Sequence, residues 1–171
     1  MARHRGPFDP APLPVAALII PSGSVIAGSL LTLLPMIASM PLFPPFGFMM
    51  LIAWRLARIE ALPVWSPLLL GLIDDLFSGQ PFGNAMVSWT VAFIVIDLLD
   101  QRLVARDFWQ DWLLASGAIT AYLLFGRLMA TPLQAHVDTI VLVQIVVAVM
   151  LYPIVAQFIS WLDRRTSATT A

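Results

Sequence analysis

The residues most able to do chemistry lie in one short stretch, GLIDDLFSGQPFG, at residues 71–83. Gly71, Asp75 and Gly79 are spaced by four residues, which places them on one face of a helix. Gly83 continues the same spacing. Small residues on one face let a second backbone approach closely inside a lipid bilayer, where helices associate by packing. The spacing therefore predicts a packing face from which the carboxyl group of Asp75 points into a helix bundle.

A carboxyl group inside an apolar helix indicates a site of function or of assembly, because an unpaired charge there is costly. Near the end of its helix, a negative charge on Asp75 also opposes the helix dipole. We therefore expect Asp75 to be protonated, paired or exposed to water. Three interpretations of Asp74 and Asp75 stay open: hydrated residues at a membrane interface, residues of a structural or partner-binding site, or residues that handle an ion or a proton.

Arg127 is a second polar residue within an apolar segment. An arginine in that setting extends its charged group to the membrane surface or pairs with a carboxylate. The candidate partners are Asp74, Asp75 and Asp138. We treat Asp74 and Arg127 as polar contacts of the bundle.

The other polar residues form no recognisable catalytic set. The DDLFS stretch lacks the third carboxylate of a DDxxD-type metal site, because its fifth position is Ser78. The chain has no cysteine, no lysine to serve a phosphate-binding loop and no serine in a G-x-S-x-G setting. One His136 beside one Asp138 does not indicate a metal site. The sequence therefore predicts a protein that is not an enzyme and that has no metal and no cofactor.

The composition indicates which elements must position these residues. Hydrophobic residues make up 60% of the 171-residue chain and charged residues only 11%, against about 25% charged in soluble domains. No charged residue occurs between Pro10 and Trp54, a run longer than the ~20 residues that cross a bilayer. The net charge of −1 offers no basic patch for nucleic acid. The chain is predicted to be an integral membrane protein.

Proline, glycine and charged residues divide the chain into six apolar segments. The predicted spans lie within 15–40, 46–57, 64–78, 84–99, 112–130 and 139–162. They form an all-α membrane domain over residues 15–163, between a disordered cytoplasmic tail at 1–14 and a cytoplasmic tail at 164–171. The second and third segments are shorter than a full crossing, so they must tilt, thin the bilayer or be sheltered by longer neighbours.

Arginine and tryptophan predict the orientation. With six spans, eight of the nine arginines fall on the side of the two termini: Arg3, Arg5, Arg55, Arg58, Arg102, Arg106, Arg164 and Arg165. The positive-inside rule then places both termini in the cytoplasm. An aromatic belt is predicted at the same interface from Trp54, Trp65, Trp109, Trp112 and Trp161.

Residues 67–83 (PLLLGLIDDLFSGQPFG) resemble the signature of MreD, a family of bacterial rod shape-determining membrane proteins. That family shows a glycine, an aspartate four residues later, a glycine four after that, and a further glycine before another apolar span. The matching positions are Gly71, Asp75, Gly79 and Gly83, and Asp74 is an addition. The length, the six spans and the FGFMMLIAW segment at 46–54, ahead of an arginine-bearing loop, also agree with the family.

The resemblance implies a non-enzymatic scaffold of lateral cell-wall elongation, in the inner membrane of a bacterium. Its expected partner is an MreC-like protein, which crosses the membrane once and carries a periplasmic coiled coil. Through that partner the chain would help to position RodA and its transpeptidase in register with MreB filaments. Self-association into a homo-oligomer stays open.

A second class of protein also fits six spans and this size: the substrate-binding membrane component of energy-coupling-factor vitamin transporters, whose fold the MreD fold is said to resemble. Such a protein needs a polar or aromatic pocket, to which Gln80, Asn84, Trp89 and Arg127 could contribute. An intramembrane enzyme is a third class, and no motif supports it. A copurified MreC-like protein would favour the scaffold, and a bound vitamin the transporter.

Overall fold

A computed structural model of the protein describes residues 15–31, 43–78, 82–100, 107–129 and 135–169. These ranges form six α-helices and no β-strand, which confirms the all-α prediction for this part of the chain. The helices are α1 (Val15–Leu30), α2 (Phe46–Ala57), α3 (Ser66–Ser78), α4 (Asn84–Asp100), α5 (Phe108–Met129) and α6 (Ala135–Thr169). The predicted tail at 1–14, the second half of the first predicted span, and Gly79 and Gln80 lie outside the described residues.

The helix starts follow from proline chemistry. Pro45 directly precedes α2, and its carbonyl accepts the first helical hydrogen bond from the Met49 amide at 3.0 Å. Pro67 is the second residue of α3, where a missing N–H leaves no helical bond unmade. Beside it, the Ser66 hydroxyl donates to the Pro63 carbonyl at 2.7 Å. The helices therefore begin within a few residues of the positions that the sequence predicts.

Helices α1 and α2 pack antiparallel. A Cβ added to Gly28, near the end of α1, would lie 3.0 Å from the backbone nitrogen of Gly47 at the start of α2. One to two turns away, the Trp54 indole N–H donates to the Ser24 hydroxyl at 2.7 Å. The two helices thus cross at close range through small residues.

Helices α2 and α6 run in the same direction. The Gln144 side chain donates to the Phe43 carbonyl at 2.6 Å, just before α2 begins. At the other end of α2, Arg58 pairs with Asp163 of α6 at 3.3 Å. The carboxyl-terminal ends of α2 and α6 therefore lie together, as an alternating up-and-down arrangement of six helices requires.

Helix α2 is the centre of the core. Nine of its twelve residues are buried. Its Phe48 ring lies 5.8 Å from the Trp89 ring of α4 and 4.7 Å from the Tyr122 ring of α5, centroid to centroid. Aromatic pairs at these spacings add stability beyond the apolar area that they bury. This short helix is enclosed by longer neighbours, which is one of the solutions predicted for it.

In the described part of the chain, two helices are long and apolar enough to cross a membrane: α5, with 22 residues, and the segment Thr139–Thr166 of α6, with 28. Helices α1 to α4 have 16, 12, 13 and 17 residues, fewer than the ~20 of a full crossing. Large apolar side chains are nevertheless exposed along α4, α5 and α6, among them Val91, Leu98, Leu113, Leu128, Leu142, Val146, Met150 and Ile154. Contiguous exposed apolar surface of this kind indicates contact with lipid or with another protein.

Two sequence-based placements need correction. Trp54 is fully buried in the core and does not belong to the predicted aromatic belt, whereas Trp65 and Trp109 are exposed. Arg55 lies inside α2 with only 2% of its surface exposed, although it was expected in a loop at the membrane surface. Residues 164–169, part of the predicted cytoplasmic tail at 164–171, continue α6 as a helix.

Candidate functional site at the junction of α3 and α4

The Asp75 carboxylate accepts three hydrogen bonds from backbone amides at the start of α4. Its Oδ1 accepts from the Ala85 amide at 2.8 Å. Its Oδ2 accepts from the Gly83 amide at 3.0 Å and from the Met86 amide at 3.1 Å. Asp75 lies in the last turn of α3 and is only 5% exposed. One helix thus caps the next through a side chain rather than through the residue that directly precedes it.

The partner of the Asp75 charge is the amino terminus of α4. The first four amides of a helix have no partner within the helix, and its amino end carries a partial positive charge that favours an anion. Both effects are larger away from water, because an unsatisfied amide in an apolar medium costs several kcal/mol. The expectation that Asp75 is paired is met by backbone groups, so the charge opposes the dipole of its own helix but complements that of α4.

Gly71, one turn before Asp75, allows the contact. A Cβ added to Gly71 would lie 2.7 Å from the Cα of Met86 and 2.8 Å from the carbonyl oxygen of Ala85. Both atoms belong to the backbone and cannot move aside. The spacing of four therefore places a glycine and an aspartate on one face of α3, against the first turn of α4.

Gly83 completes this arrangement at the start of α4. Its φ is +92°, in the region that residues with a Cβ rarely adopt. Its carbonyl accepts a hydrogen bond from the Val87 amide at 3.0 Å, which starts the helix. We call the residues of this contact the capped junction: Gly71, Asp75, Gly83, Ala85 and Met86.

The capped junction is suited to holding two helices together. Three of roughly four lone-pair positions on the Asp75 carboxylate are already used. That leaves little capacity for a proton or a metal ion. Of the three interpretations given to Asp75, the geometry favours the structural one.

Asp74 points in another direction from Asp75, as the helical rotation predicts, yet it is also buried, at 6% exposed. Its carboxyl group interacts with the Ser29 side chain of α1. The burial of both residues argues against the interpretation in which they are hydrated at a membrane interface. Asp74 links α3 to α1, and Asp75 links α3 to α4.

Among the remaining predicted residues, Gly79 and Gln80 lie outside the described part of the chain, and so do the side chains of His136 and Asp138. Arg127 is half-buried in the last turn of α5, and its pairing with Asp74, Asp75 or Asp138 stays a prediction.

The ligand pocket predicted for a transporter drew on Trp89 and Asn84. Trp89 is fully buried and packs against Phe48, and a Cβ added to Gly47 would lie 3.1 Å from its ring. Asn84 is 5% exposed, as the first residue of α4. The observed contacts of Trp89 are those of core packing.

A second polar cluster lies at the opposite end of α4, where sequence reasoning did not expect a buried site. The Arg55 guanidinium of α2 pairs with Asp97 and lies 3.6 Å from Asp100. It also lies over the Phe93 ring, 5.5 Å from the centroid. We call Arg55, Asp97 and Asp100 the ion-pair cluster. The Asp100 side chain is only 6% exposed, and that of Asp97 is 37% exposed.

Within the described residues, no group of three or more histidine, cysteine, aspartate or glutamate side chains is arranged to hold a metal ion. Comparison with protein-family models, with curated proteins and with solved structures finds no match for the chain. The geometry of the two polar clusters is therefore the basis on which a function can be proposed.

Proposed function

We propose that the chain is a multi-pass inner-membrane protein of the MreD type, a non-enzymatic scaffold of bacterial cell-wall elongation that binds an MreC-like partner. The observation that carries the proposal is the capped junction. Gly71 and Asp75 of the signature-like stretch act at the same helix contact. Gly71 leaves room for the α4 backbone, and Asp75 caps the amino terminus of α4. A signature that holds two helices together is what we expect where a partner protein binds the folded bundle.

The apolar exterior supports the membrane part of the proposal. Leu113, Leu142 and Met150 are each more than 60% exposed, on the two helices that are long enough to cross a bilayer. In water, such a surface would cause aggregation. In a bilayer the lipid chains solvate this apolar surface. A single-pass helix of a partner protein can also pack against it.

Reporter fusions test the six-span topology. Fusions after Arg58 and at the carboxyl terminus should both report the cytoplasm, because arginine-rich ends are retained there. A fusion near Gln134 should report the outside. An external carboxyl terminus would mean an odd number of crossings and would contradict the proposed topology.

Copurification tests the scaffold role. The tagged chain, extracted from its own membranes in mild detergent, should retain an MreC-like protein, and cells depleted of the chain should lose their rod shape. Asp75→Ala should reduce this capture, because it removes the cap of α4. Glu60→Ala, which removes an exposed carboxylate from a turn, is the matched control and should leave capture unchanged. Recovery of a bound vitamin without an MreC-like protein, in cells of normal shape, would contradict the scaffold and support the transporter.

A further inference from the structure

A cavity of about 620 Å³ lies between α2, α5 and α6. It is at the end of the bundle where Arg58 of α2 pairs with Asp163 of α6. Ala53 and Leu56 of α2 contribute apolar surface to it. The volume is in the range of pockets that bind a small molecule.

The walls of this cavity combine aromatic rings with one charge of each sign. Helix α5 contributes Phe108, Asp111 and Trp112, and helix α6 contributes Trp161 and Arg164. Asp111 and Arg164 are thus a carboxylate and a guanidinium that line one cavity from two helices. A ligand that carries both an anion and a cation matches this pair of charges.

Three described charged residues beside the cavity make contacts of their own. Asp163 pairs with Arg58 at 3.3 Å, and the Arg165 guanidinium lies over the Trp161 ring at 4.3 Å from its centroid. Asp107 is exposed just before α5 begins and does not belong to the lining residues. Among the described ionisable residues of this end, Asp111 and Arg164 line the cavity.

We propose that this cavity binds a phospholipid with a phosphoethanolamine headgroup, its phosphate against Arg164 and its ammonium against Asp111. Arginine donates paired hydrogen bonds to phosphate oxygens, and a carboxylate accepts hydrogen bonds from an ammonium group. Tryptophan favours the level of the headgroups in a bilayer, and apolar surface such as that of Ala53 and Leu56 suits the start of the acyl chains. The proposal rests on the proposed membrane setting and is independent of the scaffold role.

Other common headgroups match the cavity less well. A glycerol headgroup brings a phosphate for Arg164 but no cation for Asp111. A choline headgroup brings a cation that cannot donate a hydrogen bond to a carboxylate, because its nitrogen carries no hydrogen. The preference for phosphoethanolamine over choline should therefore depend on Asp111, and the affinity for all three headgroups on Arg164.

Native mass spectrometry of the full chain, delipidated in detergent, tests these dependences. Titration with phosphatidylethanolamine, phosphatidylcholine and phosphatidylglycerol of identical acyl chains should show the tightest binding for phosphatidylethanolamine. Arg164→Gln should weaken binding of all three lipids about tenfold or more, because it removes a hydrogen bond between charged groups at the phosphate. Asp111→Asn should remove the preference for phosphatidylethanolamine over phosphatidylcholine. Neither change removes core packing, because Arg164 is exposed and Asp111 is half-buried.

Two neighbouring substitutions are the matched controls. Arg165→Gln and Asp107→Asn make the same charge changes outside the lining residues, and each should leave affinity within about twofold of the original chain. Equal binding of the three lipids, or equal losses in these controls, would overturn the proposal. Soluble phosphoethanolamine that binds as tightly as the lipid would overturn the assignment to a lipid. An MreC-like partner that still copurifies in these cases would leave the proposed function standing.

Discussion

The capped junction and the ion-pair cluster both bury aspartate in an apolar bundle, but they satisfy its charge with different partners. Asp75 accepts hydrogen bonds from three backbone amides, two in the first turn of α4 and one from Gly83 just before it. Asp97 and Asp100 contact a side chain of another helix, the Arg55 guanidinium. Because nearly every residue has a backbone amide, the identities of the residues that donate to Asp75 matter little. The capped junction therefore depends on Asp75 itself and on Gly71, which leaves room for α4. The ion-pair cluster depends on several side chains at once, and these can be exchanged together.

The largest effect is expected at the ion-pair cluster, from Arg55→Met. This change removes the guanidinium that faces the buried Asp100 side chain, and breaking a buried pair from one side costs about 3–5 kcal/mol. The thermal unfolding midpoint of the purified chain in detergent should fall accordingly. Arg58→Met, which breaks a pair of partly exposed side chains, is the matched control and should cost less.

Replacing the whole ion-pair cluster sharpens the comparison. The triple change Arg55→Met, Asp97→Leu and Asp100→Leu should regain most of the loss of Arg55→Met, because apolar replacement of a buried ionic group is often neutral or stabilising. A triple variant no more stable than the single one would show that the cluster is not exchangeable, and the contrast with the capped junction would fail.

Asp75→Ala should give the next largest effect. It leaves one buried amide without an acceptor, at about 1–3 kcal/mol, and two part-buried amides that lose less, so a total loss of roughly 3 kcal/mol is expected. Asp75→Asn keeps one acceptor oxygen, so its thermal midpoint should lie between those of Asp75→Ala and the original chain. Asp74→Ala should cost less, because Asp74 interacts with one side chain, Ser29. A thermal midpoint of Asp75→Ala equal to that of the original chain would refute the capping role.

Gly71→Ala should cost about 1–3 kcal/mol, the usual effect of overpacking, because the added carbon meets the backbone of α4. Gly117→Ala on α5 is the matched control, since a Cβ there meets nothing within 4 Å. That control should be neutral or gain up to about 1 kcal/mol from its higher helix propensity. Equal midpoints for the two variants would mean that α3 and α4 are not in close contact at Gly71.

Gly83→Ala should give the smallest effect, about 1 kcal/mol, because a Cβ disfavours the positive φ of this residue. No neighbouring atom opposes the new carbon, so backbone conformation alone sets the loss. Denaturant unfolding in mixed micelles would measure it. A gain in stability would show that the turn can adopt a negative φ.

The sequence predicts the capped junction in part because its residues are close together along the chain. Gly71 and Asp75 are one turn apart, and the amides that Asp75 binds lie only eight to eleven residues further on. A spacing of four therefore indicates the packing face. The sequence does not predict that backbone amides are the hydrogen-bond partners of Asp75, because almost every residue type has such an amide.

The ion-pair cluster could not be predicted in the same way. Forty-two residues separate Arg55 from Asp97, and each residue alone is typical of a solvated helix end. The contact of Ser24 with Trp54 joins α1 to α2 across thirty residues and was missed for the same reason. The positions of the helices along the chain could be predicted from the sequence, because proline and glycine mark the helix ends. The pairing of distant side chains depends on how the helices pack.

Amide hydrogen exchange tests the central claim, that Asp75 caps the amino terminus of α4, most directly. Exchange at Ala85 and Met86 should be slow in the original chain and about tenfold or more faster in Asp75→Ala, because each amide loses its acceptor. Amides in the middle of α4 should be much less affected, and Arg55→Met should act at the other end of the helix. Unchanged exchange at Ala85 and Met86 in Asp75→Ala would contradict the account.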